Sequence, residues 1–236
     1  MKKLIKHIKE EWYKYLLEIL VLIIGIYGAF ALENWNDQRK QKIEERILLQ
    51  DIRSNLEKTL YDLTSDTLEI QTNLKHYRTI EKVINENLPY SSVLDTAFGK
   101  LTRWSSPYIT STAYQALKSK GTDILSNRAL QNSIVNLFEG EFQLISEDYN
   151  EAEWVFYQSI NIPYFSKNFQ RIDQMNSHNA KPNDFEALKR DLEFKNILSM
   201  IIRYRYVGLK YYRKAIEATS EVIAEIDKEL QNEKAN

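Results

Sequence analysis

The chain has no cysteine, and only 6 glycines, 4 prolines and 3 histidines in 236 residues. The missing cysteine excludes disulfides, thiolate metal sites and a cysteine nucleophile together. Scarce glycine and proline remove most of the turn punctuation that an all-β chain needs, so the expectation is an all-α fold. His7, His76 and His178 form no i,i+3 or i,i+4 pair, which excludes a His-Glu-x-x-His zinc site. The di-iron bundle motif Glu-x-x-His fails too, because Asn73 and Met175 stand where glutamate is required. Glycines this scattered make no phosphate-cradling loop. A net charge of −1 gives no reason to expect a nucleic-acid partner. No metal, cofactor or catalytic set is therefore expected; only a Ser–His pairing made in three dimensions stays open to an enzyme.

What the chain does have is one long apolar run. From Leu16 to Leu32, 11 of 17 residues are Leu, Ile, Val or Phe, worth about −3 to −7 kcal/mol on an insertion scale. Glu18 is the single charge inside it, and its cost of up to roughly 3 kcal/mol falls near the end of the span. Trp12, Tyr13 and Tyr15 before the run and Trp35 after it suit two membrane interfaces. The expected layout is a tail over 1–14, a transmembrane helix over 15–35, a charged juxtamembrane neck over 36–46 and a helical bundle over 47–236. Gly25, Gly28 and Ala29 put small residues on one side of the span, where a second helix could approach closely, and Glu18 could pair with it. The competing reading is a signal peptide cleaved at Ala29-Phe30-Ala31. Glu18, the flanking aromatics and a long lysine-bearing leader favour an uncleaved anchor instead. Five lysines precede the span, against Arg39, Lys40, Lys42 and Arg46 after it. That balance places the N-terminus in the cytoplasm and the bundle outside the inner membrane.

Beyond Asn36 the apolar residues recur at helical spacing. Leu56, Leu63, Ile70 and Tyr77 predict one helix to about Asn87, with Leu60, Thr67, Leu74 and Ile84 on the same seam. A second helical region, 92–120, is interrupted near Ser105-Ser106-Pro107. A third runs from Ser126 or Asn127 to about Ile160, and a last from Asp184 to Asn232, kinked near 192–195. The stretch 161–183 reads as the longest irregular connection. Four such segments favour an antiparallel up-down-up-down bundle. The loops 85–92 and 161–183 then share its distal end, and the turn at 118–127 faces the bilayer. The acidic run from Glu139 to Glu153 lies opposite Arg203, Arg205 and Arg213 in that arrangement, so ion pairs and a solvated face account for both. Tyr204, Tyr206, Tyr211 and Tyr212 suit packing, an interface or a small-molecule pocket. On the distal loop, Asn176, His178 and Asp184 are weak candidates for a polar site.

Two stretches resemble an uncharacterised bacterial family of single-pass membrane proteins, a domain of unknown function found in Gram-negative bacteria. The first holds Glu18-Ile19, Gly25-Ile26, Ala29 and Asn34-Trp35-Asn36. The second runs from Thr112 to Ser119, with Gly121, Asn127 and Leu130. Ala31-Leu32-Glu33 departs from the family's pattern. The resemblance implies an uncleaved anchor and brings no activity. The functional expectation is a membrane-anchored interaction or scaffold module whose partners are the bilayer and another copy or another membrane protein. The alternative is an extracytoplasmic ligand-sensing domain that signals through a partner's helix.

Overall fold

The computed structural model describes residues 2–172 and 179–235. The fold is all-α, with one small strand pair. Its helices are α1 (Lys2–Asn85), α2 (Leu94–Lys100), α3 (Thr112–Lys120), α4 (Arg128–Asn136), α5 (Asn150–Phe156), α6 (Ile162–Asn168), α7 (Phe185–Arg190) and α8 (Leu192–Ala235). Strands β1 (Phe169–Arg171) and β2 (Ala180–Pro182) pair antiparallel, with Gln170 opposite Lys181. Two compact units are present, Met1–Leu48 and Leu49–Asn236.

The first unit holds a helical stretch, beginning at Leu16, that is long and apolar enough to cross a membrane and has none of its apolar window buried. Leu17, Ile19, Leu20 and Leu22 are all at least 50% exposed, on every side of the helix. Apolar all round is what lipid selects and what water penalises.

In the second unit, the buried residues of α1 and α8 recur mostly at three- and four-residue steps. On α8 a 3.5-residue seam runs through Phe194, Leu198, Ile201, Arg205, Gly208, Tyr212, Ala215, Thr219, Val222 and Ile226, with Ile197 and Ile202 buried beside it. The seam of α1 differs from expectation where Thr59 is fully buried and Leu60 only half-buried, where Thr67 is only half-buried, and where the fully buried Ile80 carries it from Tyr77 to Ile84. Contacts pair α1 and α8 in opposite directions: Arg53 meets Asp227, Tyr212 meets Asp66 and Arg78 meets Tyr206. The run 128–168 is also antiparallel to α8, since Asn127 bonds Glu229 and the Phe156 ring packs on Tyr204.

That run is one continuous helix with three π-helical stretches, Leu137–Glu141, Leu144–Tyr149 and Tyr157–Asn161. Its buried stripe explains them. From Ile134 through Phe138, Phe142, Ile145, Tyr149, Glu153 and Tyr157 to Asn161 there are seven steps over 27 residues, about 3.9 per turn. An ideal α-helix at 3.6 would carry this stripe away from the core, and the wider turns hold it there.

Of the segment 161–183, expected to be irregular, the described residues form α6 and the antiparallel strands β1 and β2. Pro163 follows directly on the π turn Tyr157–Asn161, where the helix's hydrogen bonding shifts by one residue and a missing N–H is more easily tolerated. The expected kink near 192–195 lies at Asp191, whose extended backbone separates α7 from α8. Its carboxylate accepts from the backbone N–H groups of Glu193 and Phe194 and so caps α8. At one end of this unit Tyr90 packs on Phe185 at 5.2 Å and Thr96 donates to Asn179, which places the turn after α1 beside the strand pair.

Candidate functional site

The second region of the chain is helical only at its ends. Between α2 and α3 the backbone over 103–111 forms neither helix nor strand, so there and at the flanking helix ends polar groups lack the partners a helix would supply. Neighbouring helices supply them with polar side chains placed on otherwise apolar seams. The Tyr77 hydroxyl donates to the Lys100 carbonyl at 2.8 Å, and Arg205 donates to the Arg103 carbonyl at 2.7 Å. Asn161 donates to the Leu101 carbonyl at 2.8 Å, and the Thr110 N–H donates to the Thr59 hydroxyl at 3.0 Å. Asn55 accepts from the Ala113 N–H at 3.0 Å and from the Thr112 hydroxyl. It thereby caps α3 from across the bundle, where Ser111 makes no side-chain cap of its own.

Bringing Arg205 inside requires a counter-charge, and Glu153 provides it; the two side chains are 2% and 3% exposed and hydrogen-bonded. The acidic and basic runs thus meet as expected, but their central pair is buried in the core and not on a solvated face. Three tyrosines surround it. Burial raises the pKa of Tyr77, Tyr149 and Tyr212, with Arg205 opposing the shift in each case. Tyr212 also donates to Asp66 at 3.0 Å. Burial pushes the Asp66 carboxyl up to about 6; the Tyr212 hydroxyl pulls against this, and Glu69 and Asp62 add to it. Ser105 Oγ, Tyr149 OH, Asn150 Oδ1, Glu153 Oε2 and Arg205 Nε are buried with no hydrogen bond of good geometry, so the layer is under-satisfied as well as polar.

A groove of about 460 Å³ opens beside this layer, between the π turn Leu144–Tyr149 and α8. Met200 and the rings of Tyr149, Tyr204 and Tyr211 line it, together with Asp148 and Arg203. Tyr149 and Tyr211 lie 5.8 Å apart with nearly parallel rings. Gly208 permits this wall, because a Cβ there would collide with the Tyr149 ring. Tyr204 and Tyr211, singled out in the sequence, line the groove, whereas Tyr206 is 51% exposed and Tyr212 is core.

The other sequence candidates do not converge on this place. Nothing lies within 4 Å of a Cβ added at Gly25 or Gly28, and Glu18 and Ala29 are exposed on the same helix. Tyr13 and Trp35 are exposed, while the side chains of Trp12 and Tyr15 lie outside the described residues. Asn176 and His178 also lie outside them. Asp184 accepts from the Ala187 N–H and caps α7, a structural task. Among the described residues no His, Cys, Asp or Glu group could hold a metal ion.

Glu153 and Arg205 were missed as a pair, although each had a signal. Arg205 fills the gap between Ile201 and Gly208 on a three-four seam, and Glu153 lies four residues from Tyr149 and from Tyr157. A charge on a seam is a buried charge that needs a partner.

The chain matches no protein-family model, no curated protein and no solved structure. The resemblance through Asn34-Trp35-Asn36 and Thr112–Ser119 therefore brings no family assignment, and function rests on geometry.

Proposed function

We propose that this chain is a membrane-anchored helical interaction module. The observation that carries the reading is the apolar helix starting at Leu16, fully exposed and joined in one chain to a separately cored helical unit. In this reading Leu16–Leu32 is an uncleaved signal-anchor in the inner membrane, with the N-terminus cytoplasmic and the second unit extracytoplasmic. That unit is a four-element, up-down-up-down bundle whose second element is α2, an irregular run and α3. Exposed apolar side chains on its first long helix suit a protein partner. Tyr61 and Leu68, seven residues apart, are 75% and 61% exposed, and Tyr108 beside Tyr61 is 71% exposed. Two large apolar side chains one heptad apart, left in water beside Tyr108, offer another helix a contact surface.

The test is crosslinking in native membranes followed by purification in mild detergent. The module reading predicts a crosslinked species, from self-association or a co-purifying chain, that Tyr61→Ser combined with Leu68→Ser diminishes. A monomer with no co-purifying chain contradicts it.

A second reading, ligand sensing with the signal passed to a partner's helix, is favoured by the groove beside the polar layer. Its size is that of small-molecule sites, and its wall is a π turn, a feature that recurs at functional sites.

A further inference from the structure

Charge is segregated by sign on two neighbouring helices of the second unit. Between Arg128 and Lys167 the chain has six carboxylates and no lysine or arginine. Between Glu193 and Glu217 it has six lysines and arginines and no carboxylate. A folded surface ordinarily mixes the two signs. Glu153 and Arg205 join the runs in the core, whereas their exposed members do not pair with each other among the described residues. On the helical run 128–168, Leu144, Asp148, Glu151 and Val155 form an exposed row at three- and four-residue steps. On α8, Arg203, Val207, Lys210 and Lys214 form another. The groove that holds Ala152 and Met200 lies between the rows. Tyr149 packs 5.8 Å from Tyr211 and Glu153 bonds Arg205, so Asp148 and Glu151 stand at the height of Val207 to Tyr211 on α8.

We propose that these two rows are the interface with a second copy of this chain, related by a two-fold axis parallel to α8. Such an axis keeps every residue at its height and exchanges left for right. It lays the acidic row of each copy on the basic row of the other, so Asp148 and Glu151 meet Lys210 and Lys214 on both sides of the axis. A face that carries both signs in rows of matching height is complementary to itself, as an isologous contact requires. A partner of one charge sign would satisfy one row and be repelled by the other. Ala152, Val155, Met200 and Val207 supply apolar surface between the charges. This face is separate from Tyr61 and Leu68 on α1, so the proposal goes beyond the module reading and does not depend on that pair.

The test is sedimentation of the full chain in mild detergent, for the wild type, two variants and their mixture. Asp148→Lys with Glu151→Lys turns the acidic row basic, and Lys210→Glu with Lys214→Glu turns the basic row acidic. Each variant alone is expected to dimerise at least about tenfold more weakly than the wild type, because like charges then face each other. Mixed one to one, the two are expected to form a heterodimer, because a basic row again meets an acidic one on both sides. A mixture that stays monomeric while both variants keep their folded helix content overturns the proposal. If a charge reversal unfolds the chain, crosslinking decides instead, since no native cysteine interferes. A short bismaleimide is expected to join Asp148→Cys chains to Lys210→Cys chains more than either to itself, and equal or absent joining overturns the interface. A wild-type dimer that resists both reversals but is lost with Tyr61→Ser and Leu68→Ser overturns this face and leaves the module reading standing. A monomeric wild type that brings down a different protein does the same.

Discussion

Arg205 and Glu153 form an ion pair inside the second unit, and Arg205 spends a further donor on the carbonyl of Arg103. The arginine thus ties α8 both to the helical run 128–168 and to the irregular run after α2. Removing one partner strands the other charge in the core. Arg205→Met is expected to cost about 3–5 kcal/mol of stability, read by urea unfolding of the full chain in mild detergent. Glu153→Leu added to Arg205→Met recovers at least half of that loss, because no uncompensated charge then remains. A double variant no better than the single one would show that the pair is not the unit of stability.

Asn55 predicts an effect opposite to simple hydrophobic bookkeeping. It is 9% exposed on an apolar seam, so leucine there buries more apolar surface. Its carboxamide oxygen is nevertheless the cap of α3. Asn55→Leu is expected to lose about 1–2 kcal/mol and to speed amide exchange at Ala113 and the residue after it. Unchanged exchange in that turn would refute capping from across the bundle.

Asp66 makes stability depend on pH in a direction opposite to a paired carboxylate. In the folded chain it keeps its proton up to about pH 6, against 3.8 for the ordinary group. Between these values the native state binds more protons than the unfolded state. Its contribution is therefore most favourable below about 3.8, declines as pH rises, and levels off above about 6. Asp66 is half-exposed, and after discounting for solvent screening the effect is about 1 kcal/mol. Asp66→Asn should accordingly gain about 1 kcal/mol on the wild type between pH 4 and pH 7.5, followed by urea unfolding at both. A difference independent of pH would rule out Asp66 as the source.

Gly208 and Tyr149 are coupled by shape. Gly208→Ala forces the Tyr149 ring aside and is expected to cost about 1–3 kcal/mol. Tyr149→Phe alone should be within about 1 kcal/mol of neutral, since the lost hydroxyl has no good partner. Adding it to Gly208→Ala relieves part of the loss, because the hydroxyl is the nearest atom to the added methyl. Strictly additive effects would place the ring elsewhere.

The helices were legible in the sequence because their apolar residues recur at fixed spacing. Leu56, Leu63, Ile70 and Tyr77 are all buried, as are Ile201, Tyr212 and Ile226. The stripe of the third long helix was legible as well, but not its π turns. A spacing of about 3.9 per turn differs from 3.6 only when summed over seven turns. The strand pair Phe169–Arg171 and Ala180–Pro182 escaped because Pro163 and Pro182 read as breakers, whereas one follows a π turn within a helix and the other stands at a strand's end. The polar layer was hidden for a different reason. Arg205 and Glu153 each lie within runs of exposed charge, and only their place on a seam separates them from Arg203 and Glu151.

The central claim is that Leu16–Leu32 anchors this unit in a membrane and is retained. Alkaline carbonate extraction of native membranes, with N-terminal sequencing of the extracted and pelleted chains, tests it most directly. The account predicts that the chain stays in the pellet with Met1 or Lys2 at its start, and that a variant lacking residues 1–35 moves to the supernatant as a folded helical protein. A full-length chain released into the supernatant, or a mature chain beginning at Leu32, would contradict it.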